Sequence, residues 1–171
     1  AEFPGLSKPT FDSQPLRIEK MKTRDGVTLV QDVYLPKGEG KFPTILMRTP
    51  YGRSSAAAMV GLYVKRGYAV VSQDCRGRDD SEGKFDPMVN ERKDGYDTIA
   101  WIAKQPWSDG NVGMIGGSYG GYVQWAAAVE QHPALKCIIP QVSPPDAMRN
   151  LPYEYGVFTL FQNLWWGKIV A

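Results

Sequence analysis

The sequence predicts an α/β fold, a mixed and mostly parallel sheet flanked by helices, on three observations. From Thr44 onward short apolar runs alternate with helical segments. Ahead of them, two runs of alternating polarity are joined by Arg24-Asp25-Gly26. Finally, one apolar run, Val112 to Ile115, leads straight into a glycine-rich turn and a helix.

Taken in order, residues 1–15 carry Pro4, Pro9 and Pro15 among polar residues and read as an extended arm. Leu16 to Thr23 and Val27 to Leu35 read as strands, with Asp-Gly between them as a hairpin turn, because glycine supplies the positive φ that such a turn requires. Pro36 to Pro43 reads as a loop and Thr44-Ile45-Leu46-Met47 as a buried strand. Residues 55–66 read as a helix closed by Gly67, followed by a strand from Tyr68 to Ser72. Asn90 is placed to cap a helix running to about Lys104, with Tyr96, Ile99 and Ala103 on one face. A strand over Val112 to Ile115, a helix over 119–131 and a strand over Lys136 to Ile139 complete the pattern. Strands alternating with helices pair in parallel, and the leading hairpin makes the sheet mixed. Beyond Pro140 the pattern gives way to Pro144-Pro145 and an aromatic stretch ending in Leu164-Trp165-Trp166.

The chain of 171 residues suits one ordinary domain, and 43% apolar with 22% charged residues suits a packed core. Its 20 basic and 18 acidic side chains are interspersed, leaving no basic stripe to track nucleic acid. Nothing approaches the roughly 18 consecutive apolar residues of a membrane span. Ala1-Glu2-Phe3-Pro4-Gly5 lacks the basic and apolar regions of a signal peptide, which leaves the compartment open between bacterial cytoplasm and a secreted or periplasmic location. Cys75 and Cys137 read as buried free thiols. With no Cys-x-x-Cys and a single histidine, a zinc site is not expected.

The chemically informative segment is Gly116-Gly117-Ser118-Tyr119-Gly120, a Gly-x-Ser-x-Gly pattern between an apolar strand and a helix carrying Val123, Trp125, Ala126 and Val129. A serine on so sharp a turn projects its hydroxyl above the sheet edge. Side chains two residues to either side would collide, which explains Gly116 and Gly120. The helix beginning at Tyr119 aims its unsatisfied N–H groups and positive dipole end at the same place, where an oxyanion would be stabilised. A dinucleotide-binding loop fails on spacing: glycines at 113, 116, 117, 120 and 121 contain no Gly-x-Gly-x-x-Gly. A second nucleophile pattern, Ser81-Glu82-Gly83-Lys84, lies in a charged, loop-like stretch and is set aside.

A serine nucleophile needs a base, usually a histidine held by a carboxylate. The single histidine, His132, stands at the far end of the helix after Ser118, roughly 20 Å away at about 1.5 Å per residue. It reads as structural. In the order serine, acid, histidine, both partners would follow Ala171, so the chain is expected to be the N-terminal fragment of a longer enzyme and inactive alone.

Several segments together resemble one family of the α/β-hydrolase superfamily: the cocaine esterases, α-amino-acid ester hydrolases, glutaryl-7-aminocephalosporanic acid acylases and X-Pro dipeptidyl-peptidases. They are Met47 to Arg53, Gln73 to Arg78 with Ser81-Glu82-Gly83, Glu91 to Asp97, Trp101, Gln105 to Gly110, Gly113 to Gly121 and His132 to Lys136. The resemblance implies Ser118 as nucleophile, with the Tyr51 hydroxyl and the Tyr119 backbone N–H as oxyanion donors. It implies a hydrolase core over 16–143 and the start of a helical cap over 144–171, where Tyr153, Phe158, Trp165 and Trp166 are candidates for an acyl pocket. Leu151 and Pro152 stand where the amino-ester hydrolases would carry acidic residues, with Asp146 and Glu154 nearby, which weakens an amino-acid ester reading. Arg76, Arg78, Asp79 and Asp80 follow a strand on the active-site edge, and a solvated loop or structural ion pairs explain them equally well.

The expectation is therefore a cofactor-free serine hydrolase cleaving ester or amide bonds through an acyl-Ser118 intermediate. Its partners would be a small ester or amide or a short peptide, the remaining segment of the same enzyme, and in a homo-oligomer a second copy. X-Pro dipeptide release and a non-catalytic ligand-binding domain are the alternatives.

Overall fold

In the computed structural model, residues 5–143, 146, 149 and 153–170 are described. The arm does not float free. Thr10 and Phe11 donate N–H bonds to the Lys65 carbonyl, Ser13 bridges Pro36, and the Phe11 ring meets Phe42 edge-on at 5.7 Å. Two strands follow, β1 (Arg17–Lys22) and β2 (Thr28–Tyr34), paired antiparallel about a turn in which Gly26 takes φ 88. Next come β3 (Phe42–Thr49), α1 (Ala57–Tyr63), β4 (Ala69–Asp74), α2 (Glu91–Ala103), β5 (Ser108–Gly117), α3 (Tyr119–Val129) and β6 (Leu135–Gln141). A short hairpin, β7 (Tyr153–Glu154) with β8 (Val157–Phe158), and a helix, α4 (Leu160–Val170), complete the described elements.

The six long strands form one sheet in the order β1-β2-β4-β3-β5-β6, antiparallel at β1-β2 and β2-β4 and parallel thereafter. The mixed sheet expected from the sequence is therefore the one observed. Its core gathers Leu46, Val71, Ile99, Met114, Val123 and Ala127, each almost wholly buried. Helices α2 and α3 pack so closely that a Cβ on Gly95 would stand 2.9 Å from the Ala127 Cβ.

Four details differ from the sequence reading. The helix expected over 55–66 is a single α-helical segment between 3₁₀ turns at Arg53–Ala56 and Val64–Arg66, with Gly61 in its middle weakening the α-form. Gly67 does close it, at φ 86. Asn90 precedes α2 without a side-chain capping bond, and the buried face of that helix is Glu91, Asp94, Gly95, Thr98, Ile99 and Ile102 rather than the Tyr96-Ile99-Ala103 stripe. Polar groups occupy that face because Arg48 and Gln73 of the sheet and Arg76 in the loop after β4 meet them there. Cys75 is buried as expected, but Cys137, on β6, the outermost strand of the sheet among the described residues, is exposed. The Pro144-Pro145 and Leu151-Pro152 readings fall outside the described residues.

Candidate active site

Strand β5 ends in Gly116 and Gly117, and Ser118 turns the chain into α3 with φ 54 and ψ −121. A non-glycine residue in such a conformation costs on the order of 1–3 kcal/mol and persists only where its surroundings enforce it. Here the Ser118 N–H donates to the Gln141 carbonyl at the end of β6 at 2.9 Å. Its carbonyl accepts from the Gly121 and Tyr122 N–H groups at 2.9 and 3.0 Å. The residue itself is exposed at the carboxyl end of β5.

The glycines divide the steric burden differently from expectation. A Cβ on Gly116 would lie 2.9 Å from the Gly120 carbonyl oxygen, as the motif demands. One on Gly120 would make an ordinary 3.5 Å contact with the Arg48 carbonyl. The confined neighbour is Gly121, where a Cβ would fall 2.4 Å from the Ser143 Cβ and 3.1 Å from the Gln141 oxygen.

Sheet register brings Tyr51 to the same edge. Strands β3 and β5 are parallel neighbours with Leu46 opposite Met114, so Tyr51 and Ser118 follow the carboxyl ends of adjacent strands at nearly the same height. The Tyr51 N–H is tied to the Thr49 hydroxyl at 3.0 Å. Tyr51 is 44% exposed, and its phenol oxygen accepts the indole N–H of Trp166 at 2.9 Å. The Trp166 ring in turn stacks on that of Tyr119, 15° from parallel with centroids 6.0 Å apart.

Of the four aromatics considered for an acyl pocket, Trp166 alone is brought against Tyr51 and Tyr119. Tyr153 and Phe158 pack edge-on across the β7-β8 hairpin at 5.6 Å and are exposed, as is Trp165. His132 sits beyond the far end of α3, stacked edge-on with Tyr96 at 4.7 Å, and its Nδ1 accepts the Ala134 N–H. Ser81 is buried, its hydroxyl donating to the Asp74 carbonyl and accepting from the Val30 N–H, which makes it a structural link.

Beneath the Ser118 turn, linked to it through Tyr119, lies a charged cluster to which the sequence reading assigned no role. Arg48, wholly buried on β3, donates to the Glu91 carboxylate at 2.7 Å and to the Gln73 amide oxygen at 2.8 Å. Its Nη2 stands 4.0 Å from Asp94 without a hydrogen-bond partner among the described residues. Glu91 also accepts the Tyr119 hydroxyl at 2.9 Å, and the Met88 N–H donates to that same phenol oxygen at 2.9 Å. Burial, then the Glu91 charge, pushes the Tyr119 phenol and the Cys75 thiol far above their ordinary values. For Arg48, burial alone would lower the pKa, but Glu91, Cys75 and Asp94 more than reverse this. The available signal was an arginine at the end of an apolar strand, which must find a carboxylate if it goes inside.

The charged loop after β4 resolves into two kinds of contact. Arg76 is an ion-pair hub, reaching Asp94 at 2.6 Å and Asp25 at 2.7 Å, and Asp80 pairs with Arg53 at 2.7 Å. Arg78 instead donates to the Pro50 carbonyl at 2.9 Å and to the Val170 carbonyl at 2.6 Å. Its guanidinium carbon lies 5.3 Å from the centroid of the Phe85 ring. It thus joins the residue before Tyr51 to the carboxyl end of α4.

Residues 25–171 match the X-Pro dipeptidyl-peptidase (S15) family. The chain belongs to that family. Among the S15 relatives, it is 45% identical over 155 residues to the cocaine esterase of Rhodococcus sp. (strain MB1 Bresler), covering 86% of this chain and 27% of that protein. The solved CocE/NonD family hydrolase of Staphylococcus aureus superposes with a TM-score of 0.81 at 29% identity, over 90% of this chain and 32% of that one. An α-amino acid ester hydrolase superposes with a TM-score of 0.75 at 32% identity, over 91% of this chain and 30% of that one. The fold is thus that of the α/β-hydrolases, and the chain spans less than a third of the length of these relatives.

Proposed function

We propose that the protein is a serine hydrolase of ester or amide bonds, with Ser118 as its nucleophile and the Tyr51 hydroxyl and Tyr119 N–H as oxyanion donors. The observation that carries this is the enforced φ 54 bend at an exposed Ser118, level with Tyr51 just past the end of the adjacent parallel strand. Membership of the S15 family and 45% identity to a cocaine esterase support the same reading. Residues 16–143 are then part of the hydrolase core, and 144–171 begin a cap.

The chemistry follows from these positions. The Ser118 oxygen attacks the substrate carbonyl carbon as its proton passes to a base, and the carbonyl π electrons move onto oxygen. That oxygen receives the Tyr51 O–H and the Tyr119 N–H, aided by the positive end of α3. Collapse expels the alcohol or amine, which takes the proton, and leaves acyl-Ser118. Water then attacks the acyl carbon in the same way and returns the serine. His132 is turned away at the other end of α3, so the base and its carboxylate are assigned to the protein beyond Ala171.

Treating the full-length protein with a fluorophosphonate probe tests this. An adduct on the peptide holding Ser118, abolished by Ser118→Ala, is expected. A folded protein that takes no label would leave a ligand-binding domain as the reading. Comparing p-nitrophenyl esters with X-Pro-p-nitroanilides then separates esterase from dipeptidyl-peptidase.

A further inference from the structure

We propose that Trp166 is a positioning residue for the oxyanion hole: its indole N–H, bonded to the Tyr51 oxygen, turns the phenolic proton toward the substrate. This rests on the serine-hydrolase reading given above. An indole N–H can only donate, so the Tyr51 oxygen in this 2.9 Å bond must be the acceptor. The phenol keeps its own proton for another partner, and that proton cannot point at the indole. Accepting one bond also polarises the O–H and strengthens it as a donor. A carbonyl or carboxylate in the place of Trp166 would have the opposite effect, drawing the proton away from the site.

Two further contacts hold the indole in register. Its ring stacks on Tyr119, whose backbone N–H is the other proposed donor, so one side chain braces both halves of the hole. Arg78 grips α4 at the Val170 carbonyl and the β3 end at the Pro50 carbonyl. A cation at the last carbonyls of a helix is also favoured by the helix dipole. Trp166 is half-buried against the core, as befits a strut.

A double-mutant cycle on the full-length enzyme distinguishes this role from that of a pocket wall. Trp166→Phe keeps a ring to stack on Tyr119 and removes the N–H. It is expected to lower kcat by about 2- to 10-fold, the worth of one hydrogen bond, with little change in KM. With Tyr51→Phe already present, the same change should alter kcat by less than about 2-fold, because the bond it removes no longer exists. A rise in KM at unchanged kcat, or an equal loss of kcat in both backgrounds, overturns the proposal. A second readout does not depend on how the Trp166 variant folds. In protein labelled with ¹⁵N-tryptophan, Tyr51→Phe should move the Trp166 indole resonance upfield and speed its solvent exchange, and an unmoved resonance overturns the proposal. Failure of the hydrolase reading would show separately, as turnover that survives Ser118→Ala.

Discussion

The Tyr119 hydroxyl donates to Glu91 at 2.9 Å while accepting the Met88 N–H, so the side chain next to Ser118 is pinned from below by a carboxylate that also neutralises the buried Arg48. Tyr119→Phe is expected to cost about 1–3 kcal/mol, since it strands one buried donor and one acceptor position. Glu91→Ala should cost about 3–5 kcal/mol because it leaves the Arg48 charge without its principal partner. Urea unfolding monitored by tryptophan fluorescence measures both. Equal losses would mean that Glu91 serves only the phenol.

Substitutions at the glycines should rank by the space around each Cβ. Gly121→Ala and Gly116→Ala force contacts of 2.4 and 2.9 Å and are expected to destabilise by about 1–3 kcal/mol, whereas Gly120→Ala meets nothing nearer than 3.5 Å. Gly120→Ala should therefore be the mildest of the three. Midpoint temperatures of the three variants, compared at one pH, give the order directly.

His132 introduces a pH dependence with a definite sign. Burial, then the nearby Lys104, lowers its pKa from the ordinary 6.5. A group whose folded pKa is depressed contributes stability that is complete above the unfolded value and disappears as pH falls through the folded one. Stability should accordingly decline below about pH 6.5, and the His132→Asn protein should show a flatter profile over that window. Parallel curves for the two proteins would contradict this.

Cys75 should be inert in the native protein. It is wholly buried, with its sulfur 3.7 Å from the Glu91 carboxylate, and burial followed by that charge opposes the thiolate form that alkylating reagents require. Iodoacetamide is expected to leave Cys75 unmodified until denaturant is added, as read by peptide mass. Modification under native conditions at a rate typical of free thiol would show that the cluster opens.

What the sequence discloses is local or periodic. The Asp-Gly hairpin, the alternation that yields parallel strands and the sharp turn at Ser118 each sit within a few residues, and each appears in the structure where expected. The partnership of Arg48 with Glu91 does not read out, because 43 positions separate two charges that look like surface residues in isolation. The buried face of α2 is hidden for the same reason: Glu91, Asp94 and Thr98 are polar by type yet buried by partnership. Nor could composition distinguish Trp166 from Trp165, since which of two adjacent indoles meets Tyr51 depends on how α4 docks.

The strand order has a consequence for assembly. Tyr51 and Trp166, 115 positions apart, meet only once β3 lies between β4 and β5 and the last helix settles across their ends. No short segment of the polypeptide carries the arrangement in miniature. The contact between Tyr51 and Trp166 should therefore form late, after the loop-closure cost of distant pairing has been met. A chain in which β5, α3 and β6 had assembled would hold Ser118 in its bend before Tyr51, the proposed oxyanion donor, met Trp166.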